Sequence, residues 1–193
     1  MMRVESICLG DYATNCYLVN TNGISLLIDP AVASPGLFSW LDERKVDMVI
    51  NTHAHPDHVG GNWELQKRGS KILLHRAALS TLNKFYPEHP PIDRYIDEGA
   101  VIADSLRVLH TPGHCPGSII LVGEGVIFSG DLIFAGSIGR TDLPGGSRRE
   151  IHRSLKRLVS LPGDYRIYPG HGEQTTLEQE RMNNPFITRL EDR

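Results

Sequence analysis

Cysteine is scarce in this chain of 193 residues: Cys8, Cys16 and Cys115 are odd in number, widely spaced and without a CxxC pair. That pattern excludes a disulfide framework and a thiolate zinc site, and reduced thiols fit a reducing compartment. Long apolar runs are missing as well. No stretch approaches the roughly 18 apolar residues of a membrane-spanning helix, and Met1-Met2-Arg3-Val4-Glu5-Ser6 lacks the apolar segment of an export signal. A soluble, cytoplasmic protein with no membrane partner is expected. An excess of one charge is absent too, and a formal net charge of −3 argues against a dominant nucleic-acid surface, so no nucleic-acid partner is expected. Repeats and low-complexity tracts do not occur. The 40% hydrophobic content over this length suits one globular domain, residues 1–193, with a substantial core.

Strand and helix periods alternate along the chain. Val4 to Leu9 and Asn15 to Asn20 read as strands, and Asn22-Gly23 before Ile24-Ser25-Leu26-Leu27-Ile28 is a hairpin signal, because both turn residues tolerate positive φ. Ser34-Pro35 is an N-cap with a first-turn proline, which predicts a helix to about Lys45 with Leu37, Trp40 and Leu41 inward. Further strands are predicted over 46–50, 71–74, 106–110, 118–122 and 126–128, with 165–168 as the last. Helices are predicted over 61–68 and 77–85, after the capping box Ser147-Arg148-Arg149-Glu150, and over 176–183, where Pro185 marks the end. Tyr86 to Asp97, with Pro87, Pro90 and Pro91, reads as an irregular loop bordering the site.

Thr52-His53-Ala54-His55-Pro56-Asp57-His58 is the most informative segment. Three histidines and a carboxylate directly follow the apolar run Val46-Asp47-Met48-Val49-Ile50. Residues i and i+2 of a strand share a face, so His53 and His55 can reach one ion as the strand runs out. Pro56 breaks the extended path and can turn Asp57 and His58 toward a second position nearby. Imidazole and carboxylate without thiolate suit zinc, iron or manganese. Three more polar residues follow a strand and a glycine: His114 in Thr111-Pro112-Gly113-His114, Asp131 in Phe128-Ser129-Gly130-Asp131, and His171 in Tyr168-Pro169-Gly170-His171-Gly172. Glycine permits close backbone approach and costly torsions, so the repeated context points to side chains delivered to one sheet edge.

With these residues in place, the chain resembles the metallo-β-lactamase-fold hydrolases, and within them the compact glyoxalase II-like, or hydroxyacylglutathione hydrolase-like, enzymes. The matching motifs are HAHPDH at 53–58, TPGHCPGS at 111–118, SGDLIF at 129–134, GSIGRTDLP at 136–144 and YPGHG at 168–172. The resemblance implies an α/β fold, a four-layer αββα sandwich with the site at the edge between two mixed β-sheets. It implies that His53, His55 and His114 hold one metal, that Asp57, His58 and His171 hold the other, and that Asp131 bridges them. Two divalent ions per chain are expected, zinc first, with iron or manganese as alternatives. Such a pair lowers the pKa of a shared water far enough to supply hydroxide near neutral pH, with Asp57 orienting it or relaying its proton.

A small thioester is the expected substrate, with S-lactoylglutathione the leading choice, since a thiolate leaves with little protonation. Arg140 stands where the glyoxalase II enzymes present a basic residue to glutathione and is expected to bind a substrate carboxylate. No C-terminal helical glutathione-binding domain is expected after His171. GSIGRTDLP is also similar to persulfide dioxygenases of this fold, which use one iron; another ester or lactone hydrolase is the further alternative. A β-lactamase role is disfavoured by the lack of an export signal, and a nuclease role because Arg148, Arg149, Arg153, Lys156 and Arg157 read as the solvated face of one helix. His75, His89, His110 and His152 read as surface or structural, and Cys115 as a small residue beside a ligand. Asp29-Pro30 reads as a turn whose carboxylate binds backbone amides, and Trp63 as core packing.

Overall fold

A computed structural model describes residues 2–190. The first half builds one mixed sheet. Its strands are β1 (Arg3–Leu9), β2 (Thr14–Thr21) and β3 (Ile24–Ile28), then, after the two-residue β4 (Ala31–Val32) and helix α1 (Pro35–Leu41), β5 (Met48–Asn51). The turn α2 (Pro56–Val59) and helix α3 (Asn62–Lys67) lead into β6 (Lys71–Leu74), and α4 (Leu79–Phe85) leads to the edge strand β7 (Arg94–Tyr95). Strand order is β1-β2-β3-β5-β6-β7, antiparallel through the two hairpins and parallel from β3 onward. Asn22 and Gly23 close the second hairpin with φ of 49° and 76°, which matches the positive torsions expected of a two-residue turn.

The second half builds the facing sheet from β8 (Val101–Ile102), β9 (Leu106–His110), β10 (Ile119–Gly123) and β11 (Val126–Gly130). The small hairpin β12 (Ile133–Phe134) and β13 (Ser137–Ile138) and the long helix α5 (Arg148–Val159) precede its last strands, β14 (Arg166–Pro169) and β15 (Thr175–Thr176). Helices α6 (Leu177–Asn183) and α7 (Pro185–Thr188) close the described chain. Order in this sheet is β15-β14-β11-β10-β9-β8, with β11 and β14 parallel.

Side-chain alternation produces the layers. Tyr17, Val19, Leu26 and Ile28 face the second sheet, where they meet Val108, Leu121, Phe128 and Tyr168. Their neighbours Leu18 and Leu27 point the other way onto Leu37, Leu41 and Leu65 of α1 and α3. Across the molecule Leu109, Ile120 and Ile127 pack against Ile151, Leu155 and Leu158 of α5. Both sheets are therefore covered on both faces, as the four-layer sandwich requires. The intersheet core centres on Phe128, stacked on Tyr168 at 5.1 Å and edge-on to Tyr17 at 5.5 Å.

Several sequence expectations need correction. Helix α1 stops at Leu41 rather than Lys45, because Asp42 and Glu43 adopt left-handed torsions and the Asp42 amide closes onto Phe38 O. The segment 86–97 is not wholly irregular, since β7 pairs with β6. Strand β14 is not the last, and Pro185 opens α7 behind the Asn184 cap instead of only ending α6. Trp63 is not core: it is partly exposed, and its indole N–H donates to Glu88 O at 2.7 Å, fastening the 86–97 loop to α3. The Phe128→Ala variant is expected to lose about 3–5 kcal/mol of stability, measured by urea unfolding; a loss under about 1 kcal/mol would show that the aromatic trio does not bind the two sheets.

Candidate metal centre

The seven candidate ligands come from five places in the chain and meet at one edge of the sandwich. His53 and His55 leave the end of β5, Asp57 and His58 sit in the turn α2, His114 follows β9, Asp131 follows β11, and His171 follows β14. Backbone hydrogen bonds stitch these ends together. Ile119 N donates to Thr52 O at 2.9 Å, Gly170 N to Gly130 O at 2.9 Å, and Asn15 N to Gly170 O at 2.8 Å. The Asn15 side chain also bonds Pro169 O and Gly172 O, and the Tyr17 hydroxyl bonds Pro169 O.

Three overlapping trios result: His53, His55 and His114; Asp57, His58 and His171; and His53, His58 and Asp131, each with donor atoms within 4.8 Å of one another. His58 Nε2 is 3.3 Å from His171 Nε2 and 3.4 Å from Asp57 Oδ2, and His171 Nε2 is 3.3 Å from Asp57 Oδ2. Donors held at 2.0–2.1 Å around a tetrahedral ion stand roughly 3.3 Å apart, so this spacing is that of ligands converging on a cation. Asp131 joins the trios: Oδ2 is 3.5 Å from both His114 Nε2 and His171 Nε2, and Oδ1 is 3.5 Å from His58 Nε2.

The outward ring atoms fix which nitrogens face inward. His114 Nδ1 donates to Arg140 O at 2.9 Å, and His171 Nδ1 to Tyr12 O at 3.0 Å. His58 Nδ1 lies 2.9 Å from Asp29 Oδ2. A carbonyl can only accept, so a proton sits on Nδ1 and the Nε2 of His114 and of His171 faces the centre, its lone pair open to a cation once any proton there has left. His53 Nε2 and Asp131 Oδ1 are buried with no hydrogen-bond partner among the described residues. Buried polar atoms are nearly always satisfied, so these orphans and the inward lone pairs fit a bound cation.

Protonation divides the cluster in the metal-free chain. Burial, reinforced by neighbouring imidazoles, pushes His53 well below the usual histidine range and His55 down to about 4. Burial alone would do the same to His58 and His171. Asp29, Asp131 and Asp57 outweigh it for His58, raising it to about 9, and Asp131 and Asp57 raise His171 to about 10. Burial raises Asp57, but His171 and His58 prevail and hold its carboxylate far below the ordinary range.

The metallo-beta-lactamase superfamily model matches residues 9–171, a span that contains every one of these side chains. The chain belongs to the metallo-beta-lactamase superfamily. A protein of Aquifex aeolicus, described only as uncharacterized, is 36% identical over 98% of this chain and 99% of its own length. Hydroxyacylglutathione hydrolase GloC of Haemophilus influenzae is 31% identical over 96% of this chain and 98% of its own. Among solved structures, TTHA1623 in a di-iron-bound form superposes with a TM-score of 0.88 at 36% identity, over 95% of this chain and all of the other.

Within this metallo-hydrolase fold, several residues act on the centre that the sequence did not single out for it. Asp29, at the end of β3 and parallel to β5, accepts from Thr52 N at 2.8 Å and Thr52 Oγ1 at 2.7 Å. The amide contact matches the expected turn; the approach to His58 adds a role in orienting that ring. Thr14 Oγ1 donates to Asp57 Oδ2 at 3.1 Å. The only signal for Asp29 was a carboxylate at the end of a strand beside the histidine strand. Arg140 supplies its carbonyl to His114, while its guanidinium forms a two-pronged pair with Asp142, both bonds 2.7 Å, in the open. His75 stacks on His110 at 4.1 Å away from the centre.

Gly170 is needed for close approach rather than for torsion: a Cβ there would overlap Asp131 Oδ1 and press on His58. Gly170→Ala is therefore expected to displace Asp131, cutting retained metal and lowering stability by about 1–3 kcal/mol. Metal analysis and urea unfolding check this, and an unchanged pair of values would contradict the packing.

Proposed function

We propose that this protein is a binuclear metal-dependent hydrolase of a small thioester, with S-lactoylglutathione the first substrate to assay. The observation that carries the reading is the pair of trios, His53, His55, His114 and Asp57, His58, His171, meeting at Asp131. The similarity to GloC over nearly the full length of both chains supports the substrate class. Zinc is the first choice of metal, and the di-iron form of TTHA1623 makes iron a direct rival.

When bound, two divalent cations would supply Lewis acidity, making a water between them acidic and polarising the substrate carbonyl. The chain's own residues do the rest. Asp57 stays ionised, its Oδ2 steadied by Thr14 Oγ1, and would orient the attacking water or relay its proton. Carbonyls of Tyr12 and Arg140 hold His171 and His114 in one tautomer. A thiolate leaves with little protonation, which suits a centre that needs no separate general acid. Asp142 takes the Nε and Nη2 of Arg140, so a substrate carboxylate would share the guanidinium with it.

A second reading is a persulfide dioxygenase with a single iron, favoured by GSIGRTDLP. ETHE1 from Myxococcus xanthus shares this fold at a TM-score of 0.79 and 25% identity, over 98% of this chain and 90% of its own. Protein purified without chelators is expected to carry close to two ions per chain and to cleave S-lactoylglutathione. One iron per chain, oxygen uptake on glutathione persulfide and no thioester cleavage would replace the hydrolase reading. His171→Ala is expected to lose one of the two ions and about 100-fold or more of kcat, with far-UV circular dichroism unchanged. Undiminished turnover would remove His171 from the ligand set.

A further inference from the structure

Access to the centre is one-sided. Asp57 and His171 keep 21% and 27% of their side chains exposed, whereas His53, His58 and His114 are buried, so substrate enters over the Asp57 and His171 edge. Aromatic side chains stand on both sides of the centre. Tyr12, in the turn whose carbonyl holds His171, is 75% exposed. The Phe134 ring lies 6.0 Å from the His171 ring, and the Phe85 ring lies 5.8 Å from the His55 ring, near the opposite trio.

The Phe134 ring is held on a fixed support. The β12–β13 hairpin is pinned by Gly136 N donating to Glu180 Oε2 at 2.9 Å and by Asn184 Nδ2 donating to Ser137 O at 3.0 Å. Glu180 and Asn184 are themselves buried and bonded to each other at 2.7 Å. Burying a carboxylate is costly unless it is fully satisfied, and this satisfied pair fixes the hairpin that presents Phe134. Charge near the entrance is already engaged: Asp142 holds the Arg140 guanidinium, and Lys84 Nζ lies over the Phe85 ring at 5.6 Å. A substrate carboxylate shares the guanidinium with Asp142, which occupies its Nε and Nη2, whereas an apolar chain meets rings already in position.

We infer that selectivity at this centre is apolar: the protein takes thioesters whose acyl chain has several carbons, laid against Phe134 and Phe85. This rests on the thioester reading above and narrows its acyl class. Each methylene buried against the rings is worth about fourfold in affinity.

The test is calorimetric titration of the metal-loaded protein with uncleavable S-alkyl N-acetylcysteamine thioethers, methyl to octyl. The matched acetyl to octanoyl thioesters are assayed in parallel. Affinity and kcat/KM are expected to rise about fourfold per methylene over the first few carbons. Phe134→Ala and Phe85→Ala each lower the octyl-to-methyl affinity ratio about tenfold, and Phe134→Leu, which keeps an apolar contact, retains most of it. A wild-type ratio near one, with S-lactoylglutathione still cleaved, overturns the apolar inference and leaves the thioester reading in place. A ratio that survives both alanine substitutions overturns the assignment to these rings. Failure of protein holding two ions to cleave any thioester overturns the thioester reading and this inference together.

Discussion

The Asp131 carboxylate lies within 4.0 Å of the Nε2 atoms of His53, His58, His114 and His171, and the architecture around the site answers to that convergence. A buried carboxylate facing four imidazoles is held only where each ring is fixed from behind. Arg140 O, Tyr12 O, Asp29 and Thr52 provide those outer contacts. Close approach has a steric side as well. Gly139 sits where a Cβ would overlap Asp131 O, and Gly170 where it would overlap Asp131 Oδ1. Small residues at these two positions follow from the donor packing, not from any turn they must make.

The fold supplies the convergence by ending strands of both sheets at one edge. Parallel pairing of β3, β5 and β6, and of β11 with β14, sends Asp29, the histidine loop, Asp131 and His171 out of the same side. Stitches from Thr52 to Ile119 and from Gly170 to Gly130 and Asn15 then hold the sheet ends in register. The centre thus depends on the intersheet core of Tyr17, Phe128 and Tyr168 beneath it, since Tyr17 also anchors Pro169 through its hydroxyl. Packing and site geometry therefore share Tyr17.

Legibility in the sequence followed the range of the interaction. The hairpin at Asn22-Gly23, the Ser147 cap of α5 and the strands at 71–74 and 106–110 rest on neighbours in the chain, and local chemistry was sufficient to place them. Two-residue strands such as β8, β12 and β13 carry no period of their own and exist because a partner strand is nearby. The early end of α1 came from left-handed torsions at Asp42 and Glu43, residues that propensity alone admits to a helix. Trp63 looked like core because it is large and apolar; a carbonyl 25 positions along the chain, Glu88 O, drew it to the surface.

Residue type and order alone made HAHPDH stand out as candidate donors; His114, Asp131 and His171 were weak singly and gained weight only beside it, and their division into two sets was what the family resemblance implied. Two of the three trios have the implied membership, and the third sets Asp131 with His53 and His58. What stands behind and around them comes from the folded chain. The pairing of Asp29 with His58, the Arg140 carbonyl on His114, and the Phe134 and Phe85 rings beside His171 and His55 are contacts between segments distant in sequence. A side chain's type is written in the chain, but its partner is set by which strand ends the folded sheets bring together. Candidate donor types could therefore be read from the chain, whereas their surroundings could not.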